Sequence, residues 1–148
     1  MNVQKVQGWW KDTGKTEDLL EANQLILQEQ KPYNHSRPEE GASLANNVGV
    51  GGGTIIHNRT MIRGPVIIGE YCVIGPNAYI GPYTSIGDGS TILNTEIENS
   101  IIMNGAHIDC GKRITDSLIG KNVEIVDSAK NVPKDHKLMP GDQSRVAL

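Results

Sequence analysis

Isoleucine recurs in this chain with a period of six residues, and that period restricts the fold more than any other feature. In the stretch GPVIIGEYCVIGPNAYIGPYTSIGDGSTIL the phase runs without a break from Ile68 to Ile92. It extends back to Val50 and, after three one-residue deletions, forward to Ile125. The fourteen key positions are Val50, Ile56, Ile62, Ile68, Ile74, Ile80, Ile86, Ile92, Ile97, Ile102, Ile108, Ile114, Ile119 and Ile125. Such a period fits neither an amphipathic helix nor a simple hairpin.

A small or β-branched residue stands two places before nearly every key position. These small positions are Val48, Thr54, Thr60, Val66, Cys72, Ala78, Thr84, Ser90, Thr95, Ser100, Ala106, Ser117 and Val123, and Lys112 is the exception. A triangular coil with three short strands per turn explains both sets, because every third key residue then stacks on one face. We therefore predict an all-β fold, a parallel β-helix of a little over four coils, with both sets inside. The Lys112 ammonium should reach solvent past its stem.

Glycine follows several key residues, at Gly51, Gly69, Gly75, Gly81 and Gly87. We predict that these glycines form corners, where glycine adopts positive φ without steric cost. The run from Gly49 to Thr54 has the composition of a phosphate loop. It continues into the six-residue phase instead of a helix, so we interpret it as another corner.

The six-residue period is absent from both ends of the chain. Thr16 is a candidate N-cap for a helix from Glu17 to Gln30, which Lys31-Pro32 would end. Its apolar stripe would contain Leu19, Leu20, Ala22, Ile26 and Leu27. The predicted organisation is an N-terminal region with the helix (1–31), a polar linker (32–47), the β-helix (48–126) and a tail that covers the last coil (127–148).

Composition excludes several classes of partner. The net charge is −3, which favours neither nucleic acid nor an anionic membrane as partner. No apolar run approaches about 18 residues, and the start of the chain has no signal-peptide pattern, so we expect a cytoplasmic protein. The two cysteines, Cys72 and Cys110, lie about two coils apart, which at ~10 Å is too far for a disulfide.

The repeat resembles the hexapeptide-repeat family, whose fold is the left-handed parallel β-helix, and the handedness rests on that resemblance. Some members of the family are enzymes, so we considered the histidines His35, His57, His107 and His136 as metal ligands. His57 and His107 fall on one face three coils apart, about 14 Å by strand spacing, too far to share a metal within one chain. A site between subunits, as in hexapeptide carbonic anhydrases or acyltransferases, stays open beside the interpretation as surface residues.

Nearly the whole chain resembles a second, narrower family. GWWKDTGKTEDLLEAN, followed by RGPVIIGE, IGPYTSIGDG, EIENSIIM and DSLIGKNVEIV, is similar to the C-terminal region of long-form glucose-1-phosphate thymidylyltransferases and related sugar-1-phosphate nucleotidyltransferases. The resemblance implies that Asp12 is a Mg²⁺ ligand, that Trp10 and Gly14 contact substrate, and that Trp9 also shapes the surroundings of Asp12. Mg²⁺ prefers one or two carboxylates together with phosphate oxygens, which suits this role.

The family's nucleotide-binding domain, with its Gly-rich loop and second metal carboxylate, has no counterpart in these 148 residues. The resemblance therefore implies the C-terminal assembly and regulatory domain of an enzyme of nucleotide-sugar biosynthesis. By this interpretation the chain is inactive alone, and it needs Mg²⁺, a nucleoside triphosphate and a sugar 1-phosphate only as part of a complete enzyme. The alternatives are a free-standing hexapeptide-repeat acyltransferase and a structural oligomerisation module. From Thr54 to Val126 no insertion provides the acyl-carrier loop that the acyltransferase needs.

The chain should form a homo-oligomer, and a trimer fits the resemblance best. Tyr71, Val73, Tyr79 and Ile101 alternate with the inward set, so together they would expose an apolar patch. Closed cyclic symmetry would bury identical patches without leaving an open edge.

Overall fold

Short parallel strands wound in turns of three make up most of the chain in the computed structural model, which describes residues 13–127 and 145–147. One helix, α1 (Thr13–Glu29), precedes them. The strands are β1 (Tyr33–Asn34), β2 (Arg37–Pro38), β3 (Ala42–Ala45), β4 (Val48–Val50), β5 (Ile55–Ile56), β6 (Thr60–Arg63), β7 (Val66–Ile68), β8 (Val73–Ile74), β9 (Ala78–Ile80), β10 (Thr84–Ile86), β11 (Thr91–Ile92), β12 (Glu96–Glu98), β13 (Ile101–Ile102), β14 (His107–Asp109), β15 (Arg113–Thr115), β16 (Leu118–Ile119), β17 (Glu124–Val126) and β18 (Arg145–Ala147).

The strands form three parallel sheets that run along a prism. Sheet A has the order β1-β4-β7-β10-β13-β16, sheet B the order β2-β5-β8-β11-β14-β17-β18, and sheet C the order β3-β6-β9-β12-β15. Each coil contributes one strand to each sheet, and five complete coils are followed by a partial sixth. The predicted parallel β-helix is confirmed.

The interior of the prism consists of the stacked key residues. All fourteen are buried, with exposed fractions between 0% and 9%. Strand register pairs Val50 with Ile68, Ile56 with Ile74, and each later key residue with the one a full coil further on. The predicted stacks are therefore confirmed, and in the fourth coil each isoleucine is in register with another isoleucine in the coil before and in the coil after.

Threonine side chains at the small positions also make hydrogen bonds to the backbone. Thr54 Oγ1 donates to Gly69 O at 2.7 Å and accepts from the Cys72 backbone N–H at 3.1 Å. Thr95 makes the matching pair of bonds with Leu93 O and the Cys110 N–H. These buried hydroxyls satisfy backbone groups at corners that no strand ladder reaches. Lys112, the exceptional residue, is exposed, as predicted.

The β-helix begins earlier than the sequence predicts. The segment 32–47, which reads as a polar linker, supplies β1, β2 and β3, and these pair with β4, β5 and β6 as a first coil. This coil escaped the sequence analysis because Asn34 and Pro38 occupy two of its inward positions. At the other end, β18 in the tail pairs with β17 and extends sheet B past the sixth coil. Residues 128–144 lie outside the described part of the chain.

The helix also begins earlier than predicted. α1 starts at Thr13 and not after Thr16, so Thr16 lies within the first turn and is not the N-cap. The prediction placed the cap at the last hydroxyl residue before the apolar stripe, whereas the helix accommodates Gly14 in its first turn. A single glycine costs a helix only about 1 kcal/mol, which docking of the helix can offset.

Four of the five glycines that follow the key residues are needed for space and not for positive φ, contrary to the prediction. Of that set, Gly75 alone has a positive φ. A Cβ on Gly51 would lie 2.8 Å from the backbone of Gly69, and one on Gly69 or Gly87 would lie within 2.2 Å of a side-chain oxygen of the next coil. Positive φ is instead common at asparagine: Asn46, Asn77, Asn94, Asn99 and Asn122 all adopt it. Asparagine tolerates this conformation better than most residues do.

Two adjacent glycines offer a direct test of the space requirement. Gly51→Ala should destabilise the protein by about 1–3 kcal/mol, because its Cβ would press on the backbone of the next coil. Gly52→Ala is the matched control, since a Cβ there meets no atom within 4 Å. Urea denaturation of both variants measures the difference, and equal losses would show that close approach is not the reason for Gly51.

Charge inside the prism should not be tolerated. Ile80→Asp would place a carboxylate between the buried side chains of Ile62 and Ile97, at a cost of several kcal/mol. Met61→Asp on the neighbouring strand is the control, because Met61 is 47% exposed and points outward. Thermal melting should show a large loss for the first variant and a small one for the second. An unchanged melting temperature for Ile80→Asp would mean that the inward assignment is wrong.

Candidate functional site

The helix that carries the predicted site segment docks along the outer face of sheet A. Gln24 Nε2 donates to Asn99 Oδ1 at 2.8 Å, in the fifth coil. Asn23 Nδ2 donates to Tyr83 O in the fourth coil, and Ser85 Oγ donates back to Asn23 Oδ1. Gln30 Nε2, just past the helix, donates to Val66 O in the third. α1 therefore runs against the direction in which the coils are added, from late coils toward early ones.

Apolar contacts complete the docking. Leu20 and Leu27 are buried on the prism side of α1, and Leu118 is buried although its register position places it on the outer face of sheet A. The other members of the predicted stripe point away from the prism. Leu19 is 43% exposed, Ile26 is 68% exposed, and Ala22 is exposed as well. The predicted single stripe is thus divided between a docked side and an outer side.

The predicted site residues lie at the start of this helix. Asp12, Trp9 and Trp10 lie outside the described residues, and Gly14 falls in the first turn of α1. Thr13, the residue directly after Asp12 in the sequence, is the first residue of α1. Within residues 13–127 and 145–147, no group of three His, Cys, Asp or Glu side chains is placed to hold a metal ion.

The histidines are dispersed, as their spacing predicts. His57 Nδ1 lies 3.0 Å from Glu39 Oε2, while Glu39 Oε1 accepts from the Asn58 backbone N–H. The bond with His57, followed by the bond from Asn58, lowers the pKa of Glu39. This pairing joins the first coil to the second and has a structural role. His107 lies three coils further along sheet B and is exposed, and His136 lies outside the described residues.

A charged cluster on sheet C was not anticipated from the sequence. Arg113 bridges the carboxylates of Glu96 and Glu98, with Arg113 Nη1 3.1 Å from Glu96 Oε1. Partial burial, and then a hydrogen bond with Glu98, raises the pKa of Tyr79. The outward positions of successive coils could have revealed this cluster, because Tyr79, Glu96 and Arg113 follow one another in register. The cluster is exposed to solvent, so it contributes little to stability.

The cysteines are interior residues of the prism. Both Cys72 and Cys110 are free and fully buried, in agreement with the spacing argument against a disulfide. Burial raises the pKa of the Cys72 thiol, whose Sγ lies 3.2 Å from Gly87 O. A buried thiol of raised pKa is an inert, structural one.

Comparison with known proteins matches this combination of helix and prism. The family model described as GMPPB C-terminal domain matches residues 62–132. Two curated proteins named glucose-1-phosphate thymidylyltransferase match over 143 residues, 97% of this chain and 39% of each protein. The one from Streptomyces griseus is 36% identical and the one from Streptomyces antibioticus 38%. The low-salt glycan biosynthesis nucleotidyltransferase Agl11 of Haloferax volcanii is 38% identical over 97% of this chain and 40% of its own length.

The chain is homologous to the C-terminal part of sugar nucleotidyltransferases. It spans about two fifths of the length of these curated relatives. Among solved structures, perosamine N-acetyltransferase from Caulobacter crescentus superposes with a TM-score of 0.48 at 19% identity, over 64% of this chain and 44% of that one. Likeness at this level says nothing about activity.

The helix in the described part of the chain, α1, is not long and apolar enough to cross a membrane.

The four apolar residues predicted to form one exposed patch are separated. Val73 lies on sheet B, Tyr79 on sheet C and Ile101 on sheet A, while Tyr71 occupies a corner with positive φ. The expected single patch is therefore wrong, because outward residues one strand apart in the sequence face different sides of the prism.

Docking of α1 should contribute measurably to the stability of this domain. Leu27→Ala removes a side chain that is 1% exposed and should cost about 2–5 kcal/mol. Ile26→Ala, at the neighbouring but 68% exposed position, should change stability by no more than about 0.5 kcal/mol. Chemical denaturation followed by far-UV circular dichroism measures both. Similar effects for the two variants would contradict the docked orientation.

Proposed function

We propose that the chain is the C-terminal assembly and regulatory domain of a glucose-1-phosphate thymidylyltransferase, acting in the synthesis of dTDP-sugars or related nucleotide sugars. The observation that carries the proposal is the match to two thymidylyltransferases over 97% of the chain, helix α1 included. Two further features support it. The helix is fixed to the prism by hydrogen bonds from Asn23, Gln24 and Gln30, and the site segment directly precedes that helix.

The residues available fit a contribution to a Mg²⁺ site and not a whole site. Asp12 supplies one carboxylate, and the described residues hold no cluster of metal ligands that could bind an ion alone. Mg²⁺ is commonly held by one or two carboxylates with phosphate oxygens of the substrates, and there it offsets charge at the transferring phosphoryl group. In the complete enzyme, Asp12 would hold the ion, and Trp10 and Gly14 would contact substrate beside it. The role of α1 is to position this segment.

The chain alone should show no nucleotidyl transfer, because one carboxylate cannot bind and orient two phosphorylated substrates. Incubation with dTTP, glucose 1-phosphate and Mg²⁺, with release of pyrophosphate as the readout, is the direct assay. Steady turnover that Asp12→Asn abolishes would contradict the proposal. A thermal shift on adding acetyl-CoA would favour an acyltransferase instead.

A chimera gives the positive test. The C-terminal 39% of the Streptomyces griseus enzyme that matches this chain can be replaced by the chain itself. We expect an active chimera whose kcat falls at least tenfold with Asp12→Asn and is little changed by Glu124→Gln, an acidic position on sheet B. A soluble, folded chimera without activity, or one indifferent to Asp12→Asn, would contradict the role assigned to this segment.

The proposed assembly is a homo-oligomer, with a trimer as the favoured state, in the cytoplasm. A prism has flat faces along its whole length, and closed cyclic symmetry would use the same face in every copy. Light scattering across a dilution series should therefore give about three times the 16.1 kDa mass of one chain. A dimer would contradict the trimer, and a stable monomer at all concentrations would contradict the assembly role.

A further inference from the structure

The corner between sheets A and B repeats one backbone contact from the third coil to the sixth. The residue just before each small position donates its N–H to a carbonyl of the coil before. Gly89 donates in this way to Glu70 O, and Gly105 to Asp88 O, both at 2.9 Å. The residue ahead of each of these glycines points a side-chain oxygen at the same earlier coil. Asp88 Oδ1 accepts from the Glu70 N–H at 2.8 Å, and Asn104 Oδ1 accepts from the Asp88 N–H at 3.0 Å.

Two requirements of this corner together select its residues. The position before the small residue has a positive φ, 71° at Gly89 and 75° at Gly105, which favours glycine. The position ahead of it needs a short side chain with an oxygen acceptor. The fourth coil meets both requirements with Asp88 and Gly89. The fifth meets them with Asn104 and Gly105, the one Asn-Gly pair among the 148 residues.

An asparagine followed by glycine can react with its own main chain. The backbone nitrogen of the next residue, once it has lost its proton, attacks the side-chain carbonyl carbon and closes a five-membered succinimide ring. Glycine is the most reactive neighbour, because it has no Cβ to obstruct the approach. Asn94 and Asn122 instead precede β-branched residues, Thr95 and Val123, whose stiff side chains hinder the same approach.

We propose that Asn104 is a site of spontaneous deamidation, and that the contact between the fourth and fifth coils controls its rate. In the closed corner both reacting groups are bound to Asp88. The Gly105 N–H donates to Asp88 O, and the Asn104 side chain accepts from the Asp88 N–H. The nucleophile therefore keeps its proton, and the amide is held toward the fourth coil. When the corner opens, both groups are released together, and Asn104 is already exposed to water.

The reaction balances with water as its co-reactant. A bond forms between Gly105 N and Asn104 Cγ, and the bond from Cγ to Nδ2 breaks. Nδ2 leaves as ammonia, with the proton that Gly105 N has lost. One water molecule then opens the ring, because its hydroxyl adds to one of the two ring carbonyl carbons and its other hydrogen returns to the nitrogen. Opening at Cγ gives aspartate, and opening at the main-chain carbonyl gives isoaspartate.

The two products should affect the corner differently. Aspartate keeps an oxygen that can accept from the Asp88 N–H, so the contact between coils is retained. Isoaspartate sends the main chain through Cβ and Cγ, which lengthens it by one atom just before β14. The Asn104 carbonyl, which accepts from the Asn122 N–H at 3.0 Å, becomes a free carboxylate outside the main chain. Isoaspartate therefore disturbs the link to the sixth coil as well as the link to the fourth.

Comparison of the folded and unfolded chain tests the control by the fold. The purified chain is incubated at mildly alkaline pH with and without urea and then digested, and mass spectrometry locates each deamidated asparagine. We expect Asn104 to react first in urea, ahead of Asn94 and Asn122, and at least about tenfold more slowly in the folded chain. The rate should rise with pH, because the attacking nitrogen must lose its proton. Isomerisation of Asp88 leaves the mass unchanged and does not interfere.

A matched pair of glycine variants tests the contact itself. A Cβ on Gly87 would overlap Asn104 Oδ1 and the Asn104 backbone nitrogen. Gly87→Ala should therefore displace the side chain and raise the rate at Asn104 in the folded protein at least about threefold. Gly52→Ala is the control at the same corner of the second coil, since its Cβ meets no atom within 4 Å, and it should leave the rate unchanged. Circular dichroism checks that both variants are folded.

Each outcome bears on one step of the inference. Equal rates in the folded and unfolded chain would overturn the control by the fold, and faster reaction at Asn94 or Asn122 in urea would overturn the choice of site. An unchanged rate in folded Gly87→Ala would show that the Asn104 contact does not hold the reaction back. If Gly87→Ala does not fold, the comparison of folded and unfolded wild-type chain decides alone. None of these results depends on nucleotidyl transfer or on the oligomeric state.

Discussion

Hydrogen bonding between successive coils is the constraint on which the rest of this structure depends. Parallel strands lie about 4.8 Å apart, and the whole prism inherits that spacing. At so short a repeat, each side chain contacts the side chain in the same position one coil away. A position must therefore accept a neighbour of its own shape, and stacked isoleucine meets this condition in all three sheets. The scarcity of aromatic residues follows from this geometry, because large rings are hard to stack in layers only about 4.8 Å apart.

The corners show the same constraint acting on polar residues. The Glu70 backbone N–H donates to Asp88 Oδ1 at 2.8 Å, and the Asp88 N–H donates to Asn104 Oδ1 at 3.0 Å. Each side chain reaches back to the coil before it and satisfies a backbone group that has left the strand ladder. These side chains lie over Gly69 and Gly87, where a Cβ would overlap them. Glycine and its acidic or amide neighbour are thus two parts of one contact between coils.

The interior could be predicted from the sequence because its signal is repeated fourteen times, and repetition compensates for the ambiguity of any single residue. The first coil could not be predicted, because Asn34 and Pro38 stand in register with Val50 and Ile56 but lack the apolar signature of those positions.

The orientation of α1 could be predicted only in part. Leu20 and Leu27 face the prism beside Asn23 and Gln24, whose amides bind partners 60 and 75 residues away. Nothing in the sequence around an amide side chain in a helix indicates that it will bind a residue so far along the chain. The candidate site could be predicted only from the resemblance to a known family, since no local sequence pattern marks a single aspartate such as Asp12 as a metal ligand.

The reversed course of α1 has a consequence for the order in which the structure can form. The helix precedes every coil in the chain, yet Gln24 binds Asn99 in the fifth coil. Coils can form one after another as each closes on the last, since each contacts only its neighbours. The helix has to wait until its partners 75 residues downstream are in place, and contacts over such separations form late. During synthesis α1 would leave the ribosome before the coils and dock after them. Docking of α1 onto the fifth coil therefore requires that the coils between them are already present and in register.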